Sequence, residues 1–338
     1  MSLRQQKVVL SLQKEEEAYP HGVSKIRTEE THISWILLTG LYAYKIKKEL
    51  KFGKVLDFST LKLRKKFCNK EVILNKVLCG DMYKGVVKIV NENGSKRIIN
   101  LEQNGRALEY AVKMLEIPQK FRMDNILAVD KVSLKTIESL TNTLVKFHHC
   151  TPTNAKIRKF GYPKFIEKKI HENFETLAKL KTIDPKFENA LILFIKENKK
   201  LFYQRIREDK IRDIHGDLYL KNIFILENND RFYLYDRIEF NDYLRYADIA
   251  EDIAHFSMDL DYHKRSDLRR YFISQYIEKS NDINLENLVY FLMCYKACIR
   301  AKVSLFRAKN ETVNKNIIAQ INESKDLLKL AESYLELF

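Results

Sequence analysis

The 338 residues are 45% hydrophobic, enough to bury a sizeable core in one large domain or two medium ones. No uncharged apolar run of about 18 residues could span a bilayer, and the N-terminal MSLRQQKVVLSLQKEEE lacks the apolar core and small-residue cleavage site of a signal peptide, so a soluble cytoplasmic protein is expected. The net charge of +15 raises the question of a nucleic-acid or membrane-surface partner, but the 60 Lys and Arg are spread along the chain among 45 Asp and Glu, with no RGG tract, RRM aromatic motif or zinc finger, which favours a solvated basic surface.

The five cysteines (Cys68, Cys79, Cys150, Cys294, Cys298) are odd in number and contain no CxxC pair, which argues against a disulfide framework and against a zinc site. Cys294 and Cys298 lie one helical turn apart and read as core packing.

In chain order, residues 23–48 (VSKIRTEETHISWILLTGLYAYKIKK) contain β-branched and aromatic runs split by Thr39-Gly40, a pattern of strands joined by a tight turn. Leu61 to Leu78 reads as a helix with an apolar stripe of Phe67, Leu74 and Leu78. Asn93-Gly94 and Asn104-Gly105 each sit between short apolar runs and predict two further hairpins. From Asp130 onward the pattern is helical, with periodic segments at 132–148, 163–179, 185–209 and 284–336. The expected organisation is a strand-rich N-terminal part, 1–113, and a helix-rich C-terminal part, 114–338, with the change of character near Pro118 in MLEIPQKFRM.

One segment interrupts the helical half. In IHGDLYLKNIFILENNDRFYLYDRIEF, Ile223–Leu226 and Phe232–Tyr235 flank the polar cluster ENND, which predicts a β-hairpin. Asn222 precedes the first strand and Asp236 follows the second, so strand pairing is expected to bring them together, and Asp217 lies on the loop that feeds the same end. Three oxygen-bearing side chains in one place suit a hard cation such as magnesium. The spacing His-x-Asp-x-x-x-x-Asn is that of the protein-kinase catalytic loop, in which the Asp takes a hydroxyl proton and the Asn holds metal.

HGDLYLKNI followed by DRIEFNDYLRYADIAEDIAHFSMDL resembles the aminoglycoside phosphotransferase-like kinases, closest to the predicted kinases with the patterns HGDLHxxNI and FDxIEFNxxLRxxD. ETHISWILLTGLYAYKIKK, LDFSTL and EVILN are similar to the N-terminal part of that subfamily, so the resemblance runs from about residue 23 to about residue 303. It implies an α+β, bilobal, protein-kinase-like fold, with a strand-rich nucleotide-binding lobe and a mainly helical catalytic lobe. It also implies ATP- and Mg2+-dependent transfer of the γ-phosphoryl group to a hydroxyl of a small molecule. The positive charge is compatible with such an anionic co-substrate.

On this resemblance Lys45 would contact the ATP phosphates and Glu71 would position it. The residues support the pair independently, because Glu71 falls between Phe67 and Leu74 on the inward stripe, where an ionised carboxylate needs a cation. Lys47 shares a strand face with Lys45 and is the reserve candidate. Asp217 would be the general base, and Asn222 and Asp236 the metal ligands. Glu109 to Pro118, with Met114 inside it, would form the interlobe hinge against the adenine, acting through backbone groups. RTEETHISW stands in place of a Gly-rich phosphate loop, and its backbone or Thr31 and Ser34 would cover the phosphates.

Asp252, on the stripe Ile249, Ile253, Phe256 and Leu260, reads as a brace for the catalytic loop, with Asp248 as the alternative, and His215 reads as a structural hydrogen-bonder. Two residues depart from the family pattern. Tyr219 replaces a second histidine, and Arg237 stands where a small residue is common. No GxxxxGK[ST] occurs, so the resemblance implies the form without an appended P-loop domain. A protein Ser/Thr kinase on the same fold is the first alternative, disfavoured because no APE motif follows and EF replaces DFG. The second is a basic nucleic-acid-binding protein on a catalytically weak kinase-like fold, against which the intact Asp217, Asn222 and Asp236 set argues.

Overall fold

The computed structural model describes residues 2–53, 55–179, 183–226, 231–311 and 313–338. The chain forms two compact units, one of Met1–Asn125 with Phe224–Leu226 and Arg231–Asp242, the other of Ile126–Ile223 and Tyr243–Phe338.

In the first unit, helix α1 (Leu3–Leu12) is capped by Ser2 and followed by β1 (Arg27–Glu30), β2 (Ser34–Leu38) and β3 (Tyr42–Lys47). The short pair β4 (Lys51–Phe52) and β5 (Leu56–Asp57) precedes α2 (Leu61–Cys79), whose first turn is closed by the Thr60 hydroxyl accepting from Leu63 N–H. Then come β6 (Tyr83–Glu92), β7 (Ser95–Asn100) and β8 (Glu109–Leu115).

The main sheet is antiparallel, in the order β1-β2-β3-β8-β6-β7. Thr39-Gly40 turns β2 into β3, and Asn93-Gly94 joins β6 to β7 with positive φ at both residues, 50° and 94°, as a two-residue hairpin of type I′ requires. Asn104-Gly105 is not a hairpin turn. The strand after it pairs with β3 and β6 rather than with β7, so this Asn-Gly belongs to a longer connection that carries the chain past β6.

Alternation along β3 divides the core. Tyr44 and Ile46 face the cluster built on Val8, Val9 and Leu12 of α1, while Ala43 faces the cluster under Cys68, Val72 and Cys79 of α2. Lys45 and Lys47 therefore share the face that α2 covers. The buried stripe of α2 is rotated from the expected one. Arg64, Cys68, Glu71, Asn75 and Cys79 are buried, whereas Phe67, Leu74 and Leu78 border them.

The second unit is mainly helical. The expected segments appear as α4 (Leu134–Cys150) and α6 (Pro163–Lys179), after the short α3 (Met123–Ala128) and on either side of α5 (Ala155–Arg158). The 185–209 segment is two helices, α7 (Lys186–Glu197) and α8 (Lys199–Arg207), broken at Asn198. The 284–336 segment is likewise two, Glu286–Asn310 and Asn314–Tyr334. Strand β9 (Ile211–Asp213) pairs with Tyr246–Asp248, a small ladder that the helical reading of this half missed.

In the Ala250–Tyr262 helix, every residue from Ala250 to Leu260 is buried. Asp248 pairs with the buried Arg205, which also binds Asp282, so its charge serves this interior cluster rather than the catalytic-type loop. Cys294 and Cys298 are fully buried, as core packing predicts. Among the described residues no helix is long and apolar enough to cross a membrane.

Candidate active site

The predicted hairpin strands are β10 (Ile223–Leu226) and β11 (Arg231–Leu234), and they pair. The ENND between them lies outside the described residues. Asp236 falls in the first unit and Asn222 in the second.

In the first unit, Glu71 is 0% exposed and binds both candidate lysines, Lys45 Nζ at 2.9 Å and Lys47 Nζ at 2.5 Å. Lys45 also pairs with Asp236, and Lys47 with Glu239. Lys47 is as deeply buried as Glu71 itself. It is the buried counter-ion that fixes the second oxygen of the same carboxylate. Burial opposes the charge on Lys45, but Asp236 and then Glu71 outweigh it and hold the ammonium well above the ordinary lysine range. Burial likewise opposes ionisation of Glu71, and the two lysines reverse that, drawing its pKa down. At Glu239 burial dominates, and the pKa is raised.

Asp236 has a φ of 62° and a side chain 41% exposed, so the backbone adopts an uncommon left-handed conformation and still presents the carboxylate to solvent. Its neighbour Arg237 is buried and tied to α2, with its N–H donating to Asn75 Oδ1 at 2.9 Å, while Asn75 Nδ2 donates to the Glu71 carbonyl at 2.9 Å. The helix that carries Glu71 thus also anchors the residue after Asp236. Glu239 and Asn75 were missed at the sequence level. Asn75 could have been found one turn beyond Glu71 on the same helical face.

At the end of β3, Gln5 of α1 donates to the Lys47 carbonyl at 2.9 Å and to Glu109 at 2.7 Å, and accepts from Glu49 N–H at 2.7 Å. Glu109 also receives the Arg64 guanidinium, so it begins β8 inside an ion-pair network, and Met114 is buried among the side chains under α2. Residues Glu109–Leu115 are sheet, leaving only the last three residues of the expected hinge segment outside the strand. The Thr31 hydroxyl accepts from Ser34 N–H at 3.0 Å and closes the β1–β2 turn, and Ser34 is itself fully buried.

In the second unit, the HGD loop is pinned from the Ala250–Tyr262 helix. Asp252 accepts from His215 N–H and Gly216 N–H, both at 2.8 Å, and Asp259 accepts from Leu220 N–H at 2.9 Å. Gly216 has a φ of 87°, which a side chain would strain. Asp252 also meets His148 Nε2 at 3.1 Å, and His148 Nδ1 meets Tyr276 Oη at 2.7 Å. Burial works against the Asp252 charge, and the His148 hydrogen bond leads the contacts that lower its pKa. Asp252 therefore is the brace expected of it, and His215 is buried with its Nδ1 accepting from Asp217 N–H.

Asn222 Nδ2 donates to the Asp217 carbonyl at 2.9 Å and to Asp217 Oδ2 at 3.2 Å. The amide nitrogen being used in this way, the Asn222 side chain has its carbonyl oxygen to offer elsewhere. Among the described residues no group of three or more His, Cys, Asp and Glu side chains could hold a metal ion.

No family model matches the sequence. Uncharacterized proteins of Mycobacterium tuberculosis and Mycobacterium bovis are each 30% identical over 288 residues, covering 83% of this chain and 55% of theirs. The chain spans about half the length of the curated relatives it matches. Among solved structures, choline kinase from Cryptosporidium parvum superposes with a TM-score of 0.52 at 10% identity, over 98% of this chain and 94% of that one. An ADP-bound aminoglycoside phosphotransferase, APH(2'')-Ib, gives 0.47 at 15% identity, over 97% and 98%. The chain has the α+β, kinase-like fold of the choline kinase structure, with an N-terminal antiparallel sheet and a helical C-terminal part.

Proposed function

We propose that the protein is an ATP- and Mg2+-dependent phosphotransferase that moves a γ-phosphoryl group to a hydroxyl of a small molecule. The observation that carries this reading is the Lys45–Glu71–Asp236 cluster. Three residues separated by up to 191 positions meet in ion pairs although nothing about packing a sheet requires them to, and they are the lysine, helix acid and metal-type aspartate of a phosphoryl-transfer site.

In this reading Lys45 contacts the nucleotide phosphates, and Glu71, locked by Lys47, keeps it in place. Asp236 and the Asn222 carbonyl oxygen would hold magnesium, whose chemistry is to neutralise charge on the phosphates. Asp217 accepts the proton of the attacking hydroxyl, with its carboxylate steadied by the Asn222 amide. The brace from Asp252 to the His215–Gly216 backbone supports this role by fixing where Asp217 sits.

Burial of Ser34 and the turn-closing role of Thr31 favour the backbone of 27–35 over these two hydroxyls as the phosphate cover. Burial of Met114 likewise favours backbone groups of that segment for an adenine contact. The test is calorimetry with ATP, with and without magnesium, followed by ATP-consumption assays against a panel of hydroxylated metabolites. Absence of magnesium-dependent nucleotide binding refutes the proposal. Phosphorylation of generic proteins with no small-molecule acceptor replaces it with a protein kinase.

A further inference from the structure

His255 sits in the middle of the Ala250–Tyr262 helix, 3% exposed, and neither ring nitrogen has a hydrogen-bond partner. Buried polar atoms in this state are rare and call for an explanation. Packing does not supply one. The ring stacks on Tyr219, with centroids 5.5 Å apart and planes 8° from parallel, and the Arg300 guanidinium lies 4.2 Å from the Tyr219 centroid. A phenylalanine at 255 would stack as well and leave no polar atom unsatisfied.

What a phenylalanine could not do concerns Asp217. His255 Nδ1 stands 3.8 Å from Asp217 Oδ1, too long for a hydrogen bond but within a small torsion of an aspartate side chain that is 39% exposed. Oδ2 of the same carboxylate is already held by Asn222. The groups that act on the imidazole are Asp217, Tyr219 and His215 from the loop and Lys296 and Arg300 from the Glu286–Asn310 helix. Burial above all, then Lys296 and Arg300, keep the ring neutral, with a single N–H to give.

We infer that His255 is a positioning residue for Asp217. Its Nδ1–H closes onto Oδ1 while the Asn222 amide holds Oδ2, so that the carboxylate plane is set by two donors from opposite sides of the loop motif. No bond to the substrate is involved, and the proton stays on His255. The inference rests on the reading of Asp217 as the base for its kinetic consequence, but not for the contact itself.

Two variants and two readouts test it. His255→Phe keeps the stack and removes the donor, while His255→Asn places an amide N–H close to the Nδ1 position. The expected result for His255→Phe is a melting temperature at or above that of the wild type, magnesium–nucleotide affinity within about twofold, and kcat for phosphoryl transfer, or for hydrolysis with water as acceptor, down roughly tenfold or more. His255→Asn should recover part of the kcat. Independently of activity, the His255 Nδ1–H resonance in spectra of nitrogen-15 histidine-labelled protein should move on Asp217→Asn substitution.

A His255→Phe enzyme with wild-type kcat overturns the inference, and so does a resonance indifferent to Asp217→Asn. A wild-type protein that transfers phosphate to nothing, water included, refutes the kinase reading instead, and the resonance then decides the contact on its own.

Discussion

Replacing Glu71 by glutamine tests the centre of the proposed phosphate clamp. The substitution keeps the side-chain shape and removes the one charge shared by Lys45 and Lys47, whose ammonium groups lie 2.9 and 2.5 Å from its two oxygens. Breaking a buried ion pair by removing one partner costs about 3–5 kcal/mol, because the remaining charge is left desolvated. Here each lysine keeps one carboxylate, Asp236 for Lys45 and Glu239 for Lys47, which places the expected loss at the low end, about 3 kcal/mol. For a protein of this size that corresponds to a fall in melting temperature of roughly 4 °C.

Urea and thermal unfolding would measure the loss, and nucleotide calorimetry would show whether Lys45, no longer held from α2, has lost phosphate affinity. In the double mutant with Lys47→Met the two effects should not add, since both act on one cluster, and a coupling of about 0.5–3 kcal/mol is expected. If Glu71→Gln leaves the melting temperature and nucleotide affinity both unchanged, the cluster neither stabilises the first unit nor positions Lys45, and the reasoning fails.

Three further outcomes are expected. Asp236→Ala should weaken nucleotide binding in the presence of magnesium far more than in its absence, and equal weakening in both would remove Asp236 from the metal site. Asp217→Asn should retain magnesium–nucleotide affinity while phosphoryl transfer falls about 10²–10⁴-fold, and calorimetry paired with turnover separates the two effects. Burial opposes the charge of Glu251, but Lys169 and Lys296 override it and draw its pKa down from 4.5 to about 2. A folded pKa below the unfolded one means that the stabilisation, about 3 kcal/mol, is present above pH 4.5 and lost as the pH falls through about 2. Glu251→Gln should therefore flatten the acid limb of the stability curve between about pH 5 and 2, and an unchanged slope would refute it.

What the sequence determined by itself was local. Two-residue alternation placed Lys45 and Lys47 on one strand face, helical spacing turned Glu71 inward, and the acid at 252 on an apolar stripe announced a buried partner, found as the backbone of the HGD loop. Asn93-Gly94 made its hairpin because positive φ at two successive residues is a property of those residues.

The tertiary structure decided partners. Asn104-Gly105 carries the same signal yet makes no hairpin, since the strand after it is better satisfied between β3 and β6, and pairings across dozens of residues leave no trace in a window of ten. That one carboxylate, Glu71, serves both Lys45 and Lys47 was likewise out of reach, because Glu239, the second acid on Lys47, lies 192 positions away from it. His255 was invisible for the same reason. On its own helix it reads as one more core position, and only the fold shows that its nitrogens are unpaired and that an aspartate stands 3.8 Å away. Periodicity encodes which way a side chain points, whereas what it meets depends on chain closure over long separations, and that is settled by packing and desolvation across the whole unit.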